Sequence, residues 1–191
     1  MIIYFLLFFQ VILLIIGFTA LGWLVFFMIS SLVSDFNGAP YVPMRRKNVP
    51  KLLAWSGLNS EDRFVDFGSG DGRVLISAIQ SFDVKKATGY EIAGWPYHKS
   101  KFLIKRMALD HKIDLINKSA FTANLSETSF VYMYLFPKLT NRLAGKIAQE
   151  ARSGTKILCG SFPINLQDHP NLRLIKQEKI DTITAYLYEK I

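Results

Sequence analysis

No Lys, Arg, Asp or Glu occurs before Asp35, so the first 34 residues carry no charged side chain at all. That absence excludes a solvated amphipathic helix at the N-terminus. Cysteine is nearly absent as well: Cys159 stands alone, which excludes an internal disulfide and fits a reducing compartment. It lies in the apolar run "KILCGSF" and reads as a small core residue. The three histidines, His98, His111 and His169, show no metal-ligand spacing, and no Ser, His and Asp arrangement can be assembled, so no metal and no hydrolytic triad is expected. There is no internal repeat, and no low-complexity tract beyond the apolar start.

What stands at that start is "MIIYFLLFFQVILLIIGFTALGWLVFFMISSLV". About 20 apolar residues suffice to cross the hydrocarbon core of a bilayer, so residues 1–33 read as a transmembrane helix in contact with lipid. Tyr4 and Trp23 would lie about 28 Å apart along it, as a pair of interfacial aromatic anchors. A secretory signal would want basic residues first, a shorter apolar core and a small-residue cleavage site. Arg45, Arg46 and Lys47 follow the span with only Asp35 in opposition, which predicts a single pass with the body on the cytoplasmic side. The net charge of +8 belongs wholly to that body. Its Lys and Arg residues are scattered, and a membrane-facing basic surface accounts for them without nucleic acid.

Residues 34–50 hold Asn37, Gly38, Pro40, Pro43 and Pro50 and read as a connector. At on the order of 60 Å when extended, it would hold the body, residues 51–191, near the bilayer. The body alternates. A short amphipathic helix "PKLLAWSGL" precedes strand "RFVDFGSG" and helix "GRVLISAIQSF". Strand "KATGYEI", helix "WPYHKSKFLIKRMALDH", strands "IDLINKS" and "FVYMYLF", helix "KLTNRLAGKIAQEA" and strand "TKILCGSF" follow. Such alternation predicts an α/β fold, a parallel sheet with helices on both faces. Two alternating runs with no helix between them close the chain, which predicts a C-terminal antiparallel hairpin.

The densest signal is "VDFGSGDGR", residues 65–73. Gly68, Gly70 and Gly72 follow a strand and open a helix, where backbone can approach a ligand at the sheet's carboxyl edge. The spacing is G-x-G-x-G, not the G-x-G-x-x-G of nicotinamide enzymes. Asp66 and Asp71 would repel a pyrophosphate but suit a ligand bearing a sulfonium or ammonium group. Glu91 ends the second strand about twenty residues on, where a carboxylate accepts from both hydroxyls of a ribose. Together these point to S-adenosyl-L-methionine.

"VDFGSGDGR" resembles the first motif of class I S-adenosylmethionine-dependent methyltransferases, and "GYEI" resembles their next. With "APYVP" ahead of "DFGSGDGRVLISA" and "ATGYEIAGW", all behind one apolar helix, the order resembles the membrane-anchored ATP synthase c-subunit and adenine nucleotide translocase lysine methyltransferases. The resemblance runs from the apolar helix to "CGSFPI". It implies a Rossmann-like class I methyltransferase fold preceded by one transmembrane helix. It also implies a location at the bacterial inner membrane, or on the matrix side of the mitochondrial inner membrane in a eukaryote. Asp66, Phe67, Gly68, Ser69, Gly70, Asp71 and Gly72 would then line the methionine part of the cofactor, and Glu91 with Ile92 would hold the ribose. Tyr41, Val42 and Pro43 would form a lid, and Ser119 and Ala120 would lie beside the adenine. Many relatives carry an acidic residue near Ser119, so this position departs from the pattern.

The fourth strand ends "YMYLFP", where class I enzymes present the acceptor. Enzymes that methylate nucleobase amines show Asp or Asn, then Pro-Pro and an aromatic; Leu135, Phe136 and Pro137 do not fit that chemistry. Tyr134, Phe136 and Pro137 are the candidate substrate-positioning residues, with Trp95 as a bordering wall, although aromatics alternating on a central strand also serve as core. A dry aromatic site lowers a lysine's pKa and supplies the free amine without a strong base. The leading expectation is a membrane-tethered methyltransferase acting on a lysine of a protein at the membrane surface. The competing readings are methylation of a lipid or other membrane-soluble small molecule, and a cofactor-binding module without transfer.

Overall fold

The computed structural model describes residues 1–36 and 41–191. Ala39 and Pro40 of "APYVP" therefore lie outside the described residues. The apolar start forms one helix, α1 (Ile2–Phe36). It runs three residues past the expected boundary at 33. Residues 2–30 are long and apolar enough to cross a membrane. Helix α2 (Val49–Ser56) opens inside the expected connector. Pro50 sits in its first turn, where a missing N–H costs nothing.

The body follows in alternation: β1 (Arg63–Phe67), α3 (Arg73–Phe82), β2 (Lys86–Tyr90), α4 (Gly94–Arg106), β3 (Ile113–Ile116), β4 (Phe130–Met133), α5 (Pro137–Glu150) and β5 (Lys156–Gly160). The chain ends in β6 (Leu172–Ile180) and β7 (Ile183–Lys190). One seven-stranded sheet has the order β3-β2-β1-β4-β5-β7-β6, with β1 to β5 parallel and β7 antiparallel to both neighbours. The expected parallel sheet and terminal hairpin are both present. Asp181 takes the left-handed φ of 57° that the two-residue hairpin turn requires.

Several elements are shorter than periodicity predicts. Helix α4 stops at Arg106 instead of continuing to His111, because Ala108 adopts a left-handed φ of 54° and turns the chain into β3. Strand β4 stops at Met133. Beyond it the Leu135 carbonyl accepts the Thr140 hydroxyl at 2.9 Å and so serves the start of α5, not the sheet.

Strand side chains alternate between two cores. Phe64 and Tyr132 point to the side covered by α2 and α3, with Leu53 and Leu75 fully buried there. Val65, Phe67, Val131 and Met133 point to the side covered by α5, against Leu143 and Ile147. Each such side chain contributes about 1.5–3 kcal/mol relative to exposure. The strands between them are thereby rigid, and their carboxyl ends make a fixed frame.

Candidate active site

Strand order reverses between β1, which leads on to β2, and β4. In a doubly wound sheet that reversal opens a crevice at the carboxyl ends. Here it is a cavity of about 380 Å³, walled by the loop after β1, the end of β2, residues 118–121, the end of β4 and residues 41–44. That volume lies in the usual range for a small-molecule site.

Glu91 is buried and held from several directions. One carboxylate oxygen accepts the Gly70 N–H at 2.8 Å and the other accepts the Ala93 N–H at 2.7 Å, while its main-chain carbonyl accepts Asn117 Nδ2 at 2.7 Å. Burial raises its pKa, and the backbone N–H groups offset part of that. A carboxylate offers about four lone-pair sites, so two remain for a pair of vicinal hydroxyls.

The glycine loop is shaped by contact as much as by backbone. Gly70 has φ +55°, and a Cβ there would meet Cε2 of the Tyr41 ring at 2.7 Å. Gly72, at the N-terminus of α3 with φ +77°, would drive a Cβ into the Ser100 hydroxyl. Gly70 thus lets Tyr41 close down on the loop, and Gly72 lets α4 pack against it.

Asp71 is almost fully buried, yet it does not face the cavity as a free charge. Arg73 grips it with two hydrogen bonds of 2.7 Å, and Lys99 lies at 3.1 Å. Burial pushes its pKa up, but hydrogen bonds from Arg73 and Lys99 outweigh that and bring it to about 2. Arg73 also donates to the Met44 carbonyl, which ties the 41–44 segment to the loop. The Tyr41 hydroxyl is buried beside this pair, and its pKa is raised to about 12 by burial and then by Asp71.

Asp66 is the contrasting carboxylate. It is 2% exposed, and no hydrogen bond or ion pair among the described residues engages its side chain. Burial, then the Glu91 and Asp71 charges, pushes its pKa well above the usual carboxylate range. A cation in the cavity would return it to the ionised form. This buried acid, the unpartnered Ser69 hydroxyl and the Glu91 oxygens fit a ligand with one positive centre and a diol.

At the β4 end, Tyr132 and Tyr134 both line the cavity. The Tyr132 hydroxyl lies 3.4 Å from Met44 Sδ. Leu135, Leu139 and Leu143 complete an apolar wall. On the far side the Arg142 guanidinium lies 4.7 Å from the centre of the Phe121 ring, and the Ser119 hydroxyl accepts the Phe121 N–H at 3.4 Å.

Tyr41, Val42, Pro43, Asp66, Gly68, Ser69, Gly70, Asp71, Glu91, Ile92, Ser119, Ala120 and Tyr134 are all brought to the cavity. Five other candidates are not on its wall. Phe67 is fully buried beneath the loop against Tyr90, since alternation turns it to the α5 side. Gly72 supports the wall from behind. Phe136 is 39% exposed and stacks on Phe162, and Pro137 starts α5. Trp95 packs edge-on against Trp23 of α1 at 6.0 Å, not against the cavity, because α4 turns it toward the N-terminal helix. Sequence reasoning missed Met44, Arg73, Tyr132, Phe121 and Arg142. The period-two relation to Tyr134 would have found Tyr132; Phe121 and Arg142 carry no pattern, because helix α5 and a short 3₁₀ turn bring them together.

The ANTKMT methyltransferase domain family matches residues 66–170, more than half of the chain. The chain belongs to this family. It is a methyltransferase, and its cofactor is S-adenosyl-L-methionine, whose sulfonium and ribose the acids Asp66 and Glu91 suit. The methyltransferase is 28% identical over 149 residues to a protein-lysine N-methyltransferase of Saccharolobus islandicus, covering 78% of this chain and 92% of that one. It is 29% identical over 153 residues to the ATP synthase c-subunit lysine N-methyltransferase of Xenopus laevis, covering 77% and 62%. To the mouse adenine nucleotide translocase lysine N-methyltransferase it is 26% identical, spanning 54% of that protein. Among solved structures, an RNA methyltransferase from Salinibacter ruber in complex with S-adenosyl-L-homocysteine superposes with a TM-score of 0.71 at 22% identity, covering 78% of this chain and 94% of that one. That likeness concerns the fold.

Proposed function

We propose that this methyltransferase transfers the methyl group of S-adenosyl-L-methionine to the ε-amine of a lysine in a protein at a membrane surface. The carrying observation is the aromatic end of the cavity, Tyr132 and Tyr134 beside Leu135, in a chain whose relatives are protein-lysine N-methyltransferases. When bound, the cofactor supplies an electrophilic methyl on a sulfonium. The chain's own residues orient and exclude water. Glu91 accepts from the ribose hydroxyls, the ionised Asp66 faces the positive end, and Tyr41 with Val42 and Pro43 closes over them. The acceptor must arrive neutral, in line with the methyl–sulfur bond. The two tyrosines and Leu135 give it a dry channel, which lowers a lysine's pKa from about 10.4. The cofactor would supply its methyl to that amine, which Tyr132, Tyr134 and Leu135 would hold in place.

In this reading residues 1–33 are the tether, residues 34–50 the joint and lid, and residues 51–191 the catalytic body. The helix spans the membrane once, with the body on the side of Arg45, Arg46 and Lys47. Lysine methylation of membrane proteins, compared by mass spectrometry in cells with and without this protein, tests it. Loss of methyl from a defined lysine on deletion, restored by the wild-type chain and not by Asp66→Ala, is the expected result. Radiolabelled methyl found in the lipid extract and absent from protein would replace the protein substrate with a lipid.

A further inference from the structure

Helix α1 at 35 residues is about 52 Å long, against about 30 Å of hydrocarbon. Its second half is not free. Trp23 and Phe27 pack edge-on against Trp95 at 6.0 and 6.3 Å, Phe26 lies 6.1 Å from His98, and the Ser30 hydroxyl accepts the Trp95 N–H at 2.9 Å. Ala93, which precedes α4, offers no side-chain cap, so Ser30 caps the helix from another element. Gly94 admits the Phe26 ring at 3.4 Å from where a Cβ would stand. The first turn of α4 is therefore bolted to α1 at the level of Trp23, a residue type that sits where bilayer meets water.

From that fixed point the outer face of α4 continues as His98, Lys101, Phe102, Lys105 and Arg106, at helical spacing and all exposed, with Phe102 at 62%. Helix α4 contains no acidic residue, and neither Lys101, Lys105 nor Arg106 forms an ion pair among the described residues. Lys99, on the inner side, is already committed to Asp71. An exposed aromatic among three cations, next to an aromatic-anchored helix, has the chemistry of an interfacial membrane surface.

We propose that this face of α4 rests on anionic phospholipid, with Lys101, Lys105 and Arg106 against the phosphates and Phe102 inserted among the headgroups. It rests on the reading of α1 as a spanning helix. Because α4 starts three residues after Glu91 and its Lys99 holds Asp71, this second contact orients the cofactor cavity relative to the bilayer, which a flexible tether would not do.

The test uses the full chain with Phe102→Cys carrying a polarity-sensitive fluorophore; Cys159 is buried and its thiol pKa is raised by burial, so position 102 takes the label. The protein is reconstituted in nanodiscs of phosphatidylcholine alone or with phosphatidylglycerol. Expected is a blue-shifted emission on the anionic discs that is lost on neutral discs, at high salt, and in Lys101→Glu/Lys105→Glu/Arg106→Glu. An aqueous emission on anionic discs, in protein that resists carbonate extraction, overturns the lipid contact while leaving the span intact. An emission that shifts only when membrane proteins are added overturns it in favour of a protein-docking face. Extraction of the wild-type chain by carbonate removes the spanning reading and this one with it.

Discussion

Replacing Asp71 by Asn removes the carboxylate that Arg73 and Lys99 share, and the structure sets both the size and the pH dependence of the loss. The carboxyl sits at about 2 instead of its ordinary 3.8, and at about 1.4 kcal/mol per pKa unit that is about 2.5 kcal/mol of stability. Lys99 is 39% exposed, so solvent screens its share, and about 1–2 kcal/mol is expected at neutral pH. A depressed folded pKa contributes stability that is fully present above 3.8 and is lost as pH falls from about 4 to about 2. Asp66 and Glu91 act in the opposite sense, because burial raises their pKa values and acid relieves them. Subtracting the Asp71→Asn profile from the wild type cancels the Glu91 contribution and the part of the Asp66 contribution that comes from burial and Glu91, and leaves the part that Asp71 itself adds to Asp66. Urea unfolding of the full chain in detergent, followed by tryptophan fluorescence between pH 2 and 7, measures the difference. It should be about 1–2 kcal/mol at pH 7 and shrink toward zero at the acid end. A difference that stays constant with pH, or equal stability at pH 7, refutes the role assigned to the Arg73 and Lys99 contacts.

Glu91→Gln should weaken S-adenosylmethionine binding about tenfold to a hundredfold, the loss of hydrogen bonds to a charged acceptor at about 1.5–3 kcal/mol, as read by calorimetry; unchanged affinity would remove Glu91 from the ribose. Gly70→Ala should also weaken binding. It places a side chain at φ +55° and against the Tyr41 ring, and in urea unfolding Tyr41→Ala in the same chain should recover the steric part of the lost stability but not the backbone part of about 1–2 kcal/mol. Ser30→Ala should cost about 1 kcal/mol in urea unfolding, as a lost helix cap does, and speed hydrogen exchange at the Trp95 amide; no change at that amide would mean that α1 does not cap α4.

The amino-acid sequence by itself determined the alternation of strands and helices, the terminal hairpin, the apolar N-terminal helix and the cofactor chemistry. These are local properties: period two against period 3.6, glycines at fixed offsets, an acid at the end of a strand. "VDFGSGDGR" was legible for the same reason, since its spacing is a consequence of one tight turn. Tertiary structure alone decided what each acid does. Asp66 and Asp71 look alike in the chain, yet Lys99 arrives from α4 to neutralise one, and nothing among the described residues arrives for the other. It also decided that Trp95 serves the N-terminal helix and not the cavity, and that Phe121 and Arg142 meet across residues 120–142. Electrostatic partners and aromatic contacts depend on which segments packing brings within a few ångströms, and no periodicity along the chain encodes that distance.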